Sequence, residues 1–184
     1  MLLYYLIRVF PLTALISLII YTPFYMYTKY RYGKQKWLVH LARYALIGYL
    51  LSLAYLTILW YYPYITFHPE YYFLNLRPFV WVYECYDMGF KKMIMQLILN
   101  IGMFVPYGLL LPIAVKSMRK WWKTSSVVLA STLLIEILQY FIGRSADIDD
   151  VIMNFIGGLI GYLLFVIISK CYDNNAEGEQ GREK

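Results

Sequence analysis

Five stretches of this chain are apolar for long enough to cross a lipid bilayer, and that property restricts the fold more than any other. They run over Leu2–Tyr27, Leu38–Trp60, Met93–Val115, Ser125–Ile142 and Val151–Ser169. Hydrocarbon offers no water to backbone N–H and C=O groups, so each such stretch must satisfy them internally as an α-helix. The expected fold class is all-α: a polytopic membrane protein of about five transmembrane helices, one domain over residues 1–169, multi-pass in the cell membrane. Composition agrees, with 61% hydrophobic and 15% charged residues, against roughly 45–50% and about 25% in soluble domains. Pro11 and Pro23 are expected to kink or shorten the first helix. That segment has no basic residues ahead of its apolar run and no A-x-A-like site after it, so it is expected to remain as a membrane helix. Residues 170–184 are polar and Gly/Glu-rich without an apolar face, which predicts a disordered tail.

Lysine and arginine orient the bundle. If five helices alternate, the segments Lys29–Lys36 and Lys116–Lys123 share one side with the tail, and together they carry eleven basic residues. The opposite side has four: Arg77, Lys91, Lys92 and Arg144. The positive-inside rule then places the amino terminus outside and the carboxy terminus in the cytoplasm. The net charge of +6 is distributed in these short connections, which argues for membrane orientation and against nucleic acid as a partner. Cys85 and Cys171 fall on opposite sides, so no intrachain disulfide is expected. The connection Tyr61–Lys92 is rich in Tyr, Phe and Trp and interrupted by Pro63, Pro69 and Pro78. It is expected to lie in the outer interface, with room for one short interfacial helix after Pro78. Trp121 and Trp122 read as an inner interfacial anchor. His40 and His68 have no partners at ligand spacing and read as surface histidines.

Polar side chains inside apolar helices cost free energy, about 2.5–3.5 kcal/mol for a charged group at mid-helix, so their presence needs a reason. Gln96 and Asn100 share a face of the third helix, Glu136 and Gln139 a face of the fourth, Asp150 and Asn154 a face of the fifth. Arg144 and Asp147 stand in the turn between the last two. In the alternating topology all of these meet near the outer leaflet. Interhelical hydrogen bonding alone accounts for Gln96, Gln139, Asn100 and Asn154, and a loop ion pair for Arg144 with Asp147 or Asp150. Glu136 demands more, because a carboxyl one to two turns deep needs a cation, a proton or a ligand. The candidate binding cluster is Asn100, Glu136, Gln139, Arg144, Asp147, Asp150 and Asn154. Asp147, Asp149 and Asp150 lack EF-hand spacing and read as a solvated acidic turn; no metal or cofactor is expected. Gly157 and Gly161, with Gly158, predict a close approach of the fifth helix to a neighbour. Gly102, Pro106, Gly108 and Pro112 are expected to bend the third.

These residues, taken in order, resemble the VanZ-like family of small membrane proteins, named for teicoplanin resistance. The resemblance runs through Asn75-Leu76-Arg77-Pro78-Phe79, then Asn100-Ile101-Gly102-Met103-Phe104-Val105-Pro106-Tyr107-Gly108. It continues through Glu136-Ile137-Leu138-Gln139, Arg144, Asp147 and Asp150-Val151-Ile152-Met153-Asn154-Phe155-Ile156-Gly157-Gly158, and covers residues 74–164. It implies a cell-envelope protein of mainly Gram-positive bacteria, whose founding member lowers susceptibility to a lipid-tailed glycopeptide antibiotic. The leading expectation is a protein that binds or remodels a lipid or lipid-tailed ligand at the outer leaflet. In it Arg144 contacts an anionic head group, and Glu136, Gln139, Asn100 and Asn154 line a polar pocket. Two alternatives stand beside it. One is a hydrolase or transferase acting on a lipid phosphate, with Glu136 as general base. The other is a structural subunit of an envelope complex.

Overall fold

The computed structural model describes residues 8–33, 36–60, 74–83 and 89–182. Five helices dominate: α1 (Phe10–Tyr32), α2 (Trp37–Thr57), α3 (Phe90–Ala114), α4 (Trp121–Phe141) and α5 (Ile148–Arg182). All five are long and apolar enough to cross a membrane. The chain is an all-α multi-pass membrane protein.

The helix boundaries follow local chemistry. Pro11 occupies the first turn of α1, where an N–H has no intrahelical acceptor to lose. The helix also runs through Pro23 and closes beside Lys29 and Arg31, cations that complement its carboxyl end. Trp121 and Trp122 form the first turn of α4 and are 66% and 51% exposed, so that helix begins four residues before its apolar stretch. The reason is that an interfacial turn is amphipathic, and apolarity alone does not find it. Before it, a short 3-10 turn at Lys116–Arg119 is tied down by Thr124 Oγ1, which donates to Met118 O. Where a disordered tail was expected from Lys170, α5 continues to Arg182. Extending an existing helix needs no new nucleus. Of the aromatic connection, the described residues include a two-residue strand, β1 (Leu74–Asn75), and a helical turn at 81–83. Residues 61–73 and 84–88, with His68 and Cys85, lie outside the described residues. Cys171 is a free, exposed thiol.

α3 is the centre of the bundle and packs against α2, α4 and α5, while α1 lies outside α2. Phe104, Tyr107 and Leu111 of α3 pack with Ala42, Leu46 and Leu53 of α2 and with Val128 and Ile135 of α4. Pro106 interrupts the hydrogen-bond ladder of α3 without ending the helix. Tyr49 Oη, reaching over from α2, donates to Met103 O at 2.7 Å in the same stretch, as neighbouring helices do around a membrane proline. Leu12, Leu15, Ile19, Leu134, Ile137 and Leu163 are exposed and make the lipid-facing surface.

Lipid tails are as apolar as leucine, so these helices are held by close packing more than by hydrophobic burial. The tightest seam joins α3 to α5. A Cβ built at Gly157 would strike Ile101 O, one at Gly161 would strike Val105 O, and one at Gly108 would strike Gly158 O. Gly158 turns its bare face to Val128 of α4. The glycine pattern therefore serves two neighbours at once, with Gly157 and Gly161 on α3 and Gly158 on α4.

Candidate functional site

The α4–α5 turn sets the site. Gly143 has φ +81°, a left-handed conformation that glycine adopts without a Cβ clash. Gly143 N donates to Tyr140 O at 3.2 Å and Arg144 N to Gln139 O at 2.9 Å, the two bonds of a Schellman cap. The chain thereby doubles back, and Arg144 returns over the end of α4. Its Nη1 donates to Thr57 O at 3.2 Å, and Gln139 Nε2 donates to the same oxygen at 3.2 Å. Thr57 closes α2, where the last carbonyls lack intrahelical donors. Arg144 and Gln139 supply them.

The returning strand, β2 (Ala146–Asp147), pairs in parallel with β1, Leu74 opposite Ala146 and Asn75 opposite Asp147. Side chains hold this short bridge. Asn75 Nδ2 donates to Asp147 Oδ1 at 3.1 Å, and Asn75 Oδ1 accepts from Arg77 N at 3.1 Å. Glu136 Oε2 accepts from Asp147 N at 2.9 Å. Asp147 Oδ1 also accepts from Asp149 N at 2.9 Å, so Asp147 caps the amino end of α5. Asp149 and Asp150 fill the first turn of that helix, where carboxylates favour the positive end of its dipole. Asp149 Oδ1 accepts from Phe79 N at 2.6 Å. Phe79 has φ +67°, strained for so bulky a residue, and this bond helps to hold it. On the other flank Asn100 Nδ2 donates to Asp150 Oδ1 at 2.5 Å. One turn deeper, Asn154 Nδ2 donates to Thr132 Oγ1 at 3.2 Å, while Asn154 Oδ1 is buried without a hydrogen-bond partner.

Beneath the bridge lies a pocket of about 310 Å³ between α4, α5 and residues 74–76. Leu133, Tyr140 and Val151 are among its apolar walls, and Asn75, Glu136 and Asp147 supply its polar groups. Glu136 is only 6% exposed. The Arg144 guanidinium interacts electrostatically with both Glu136 and Asp150. An apolar cavity with a few convergent polar groups is the usual form of a small-molecule site.

Residues 46–169 match the sequence model of the VanZ/LLP1 family. The chain belongs to the VanZ/LLP1 family. Protein VanZ of Enterococcus faecium is 36% identical over 98 residues, which are 53% of this chain and 55% of that protein. The chain spans about half the length of the curated relative it matches. No solved structure matches. The VanZ/LLP1 match takes in α3, α4, the bridge strand β1 and the membrane part of α5. It leaves out α1, the helix that packs at the periphery.

Within this VanZ/LLP1 chain, the seven residues singled out from sequence all lie at one end of the bundle, in four hydrogen-bonded sets. Glu136 and Asp147 join the bridge and the pocket. Gln139 and Arg144 cap α2 and do not line the pocket. Asn100 with Asp150, and Asn154 with Thr132, tie α5 to α3 and α4. Gln96 is exposed and makes no hydrogen bond among the described residues, so helix packing does not account for it. Among the described residues, no group of His, Cys, Asp and Glu is placed to hold a metal ion. His40 is half-buried, and its Nδ1 pairs with Tyr21 Oη at 2.5 Å. Sequence reasoning did not place Asn75 and Asp149 in the cluster. Their signal was present in the Asn75–Phe79 motif and the Asp147–Asp150 run, but the pairing joins residues 72 and 70 positions apart.

Asn75 carries a prediction of its own. Asn75→Ala removes both of its bonds and is expected to destabilise the protein by about 1–2 kcal/mol. Amide exchange at residues 76–80 should accelerate while the α3–α5 seam stays protected. Unchanged exchange there, measured by mass spectrometry, would show that the bridge does not depend on this side chain.

Proposed function

We propose that this VanZ/LLP1 protein binds or remodels an amphiphile at the outer leaflet, a lipid, a glycolipid or a lipoglycopeptide antibiotic, and so lowers susceptibility to glycopeptides such as teicoplanin. The observation that carries this reading is the pocket beneath the β1–β2 bridge. A buried carboxyl, Glu136, stands among apolar walls at the end of a membrane helix. Such a site suits a molecule with a polar head and a hydrocarbon tail. Arg144 serves as a positioning residue, holding the α4–α5 turn to α2 and acting on Glu136 through its charge. The experiment is purification in native lipid followed by mass spectrometry of what accompanies the protein. A defined glycolipid or lipid retained by the unmutated chain and lost from Glu136→Gln is the expected result. Recovery of bulk lipid alone from both would overturn it, and a lipid returned chemically altered would move the site to the hydrolase or transferase reading.

The outward orientation belongs to the same proposal. Lys29, Arg31, Lys36 and the Lys116–Lys123 turn stand at the end opposite Arg77, Lys91, Lys92 and Arg144, in keeping with the positive-inside rule. Lys120→Cys is therefore expected to resist a membrane-impermeant thiol reagent in intact cells, and Ser145→Cys to react. Labelling at position 120 without lysis would invert the assignment.

A further inference from the structure

We propose that a groove along the first turns of α3 is a separate binding site for the headgroup of an anionic phospholipid. The groove has a volume of about 790 Å³ and shares no lining residue with the pocket beneath the bridge. Its floor is two parallel rows at four-residue spacing, neighbours on one helical face. Lys92, Gln96 and Asn100 form a polar row, and beside it a second row starts at Lys91 and continues through the apolar Met95 and Leu99.

The rows match a phospholipid from the head downward. Lys91 and Lys92 are exposed at the start of α3, where two ammonium groups at one level face the phosphate layer. Juxtamembrane basic residues are each worth about fivefold in binding to anionic lipid. From Lys92 to Asn100 the helix rises about 12 Å, whereas the headgroup layer is only about 5–7 Å deep. Gln96 consequently stands at the level of the ester carbonyls, below the phosphates. It is exposed on an otherwise apolar stretch and has no hydrogen bond among the described residues, a costly condition where water is scarce. A lipid ester or glycerol hydroxyl would satisfy its carboxamide. At the lower end, Asn100 gives its amide hydrogen to Asp150 at 2.5 Å, which ends the polar row. Met95 and Leu99, 51% and 62% exposed, continue as a surface for an acyl chain. Two cations select an anionic head over a zwitterionic one, and the paired rows select a lipid over free phosphate.

The site is independent of the pocket reading, and the failure of one leaves the other standing. The test places a photoreactive benzoylphenylalanine at Leu99 of the full chain, in nanodiscs of phosphatidylcholine with a minor fraction of phosphatidylglycerol. A second chain carries it at Leu163, an exposed position on α5, and reports the bulk lipid ratio. Crosslinked adducts at Leu99 are expected to be enriched in phosphatidylglycerol several-fold over those at Leu163. High salt and the Lys91→Gln/Lys92→Gln double variant should each reduce that enrichment toward the bulk value. Gln96→Leu should reduce it at an unchanged melting temperature. Equal ratios at Leu99 and Leu163 would overturn the site. So would enrichment that survives high salt on the unmutated chain, a result that does not depend on any variant folding.

Discussion

Replacing Gly157 by leucine is expected to leave little or no folded protein in the membrane. Even a single Cβ at this position would overlap Ile101 O. The clash is with backbone, so no rotamer change relieves it and α3 and α5 must move apart. Overpacking commonly costs 1–3 kcal/mol and sometimes more. Here the separation would also pull Asn100 from Asp150 and Gly161 from Val105, since both contacts lie on the same seam. Gly157→Ala should already lower the melting temperature measurably in detergent, and Gly157→Leu should abolish the monodisperse peak on size exclusion. Gly102 is the internal control. It lies in the same stretch of α3 with nothing within 4 Å of a built Cβ, so Gly102→Ala should be neutral or slightly stabilising, as alanine is the better helix former. If both alanine variants melt alike, the seam is not as close as described.

The second large effect falls on activity. Glu136→Gln keeps an acceptor for Asp147 N, now bonded to Glu136 Oε2 at 2.9 Å, and should fold and melt close to the unmutated protein. Removing a buried charge even favours stability, a common exchange at functional sites. On the proposed function, glycopeptide tolerance should nevertheless fall to the level of cells lacking the protein. Glu136→Leu removes the acceptor as well. It strands a buried N–H at a cost of about 1–3 kcal/mol and should lower the melting temperature. The contrast separates the carboxyl's structural task from its chemical one. Arg144→Gln should be strongly non-additive with Glu136→Gln in a double-mutant cycle, because their charges interact. A well-folded, fully active Glu136→Gln would end the pocket reading.

Much of this molecule was legible before folding. Apolar length alone located five spans, since the cost of moving each side chain into hydrocarbon is a local property. The glycine pattern of α5 announced a close neighbour. The boundary of α4 was less legible, because Trp121 and Trp122 belong to the interface. The α2 cap was not legible at all. Thr57 O is a backbone carbonyl like any other until tertiary packing brings Gln139 and Arg144 to it, 82 and 87 positions along the chain.

Sequence by itself determined that the protein spans the membrane, how many helices do so, and at which end its polar residues gather. All three rest on free energies that add residue by residue along the chain. The tertiary structure alone decided that Asp147 and Asn75 form a bridge, that Glu136 supports it from below, and that Gln96 is left exposed. Those outcomes depend on which helices become neighbours and at what rotation. Backbone contacts at Gly108, Gly157 and Gly161 bring α3 and α5 together, and the resulting register places Asn100 against Asp150.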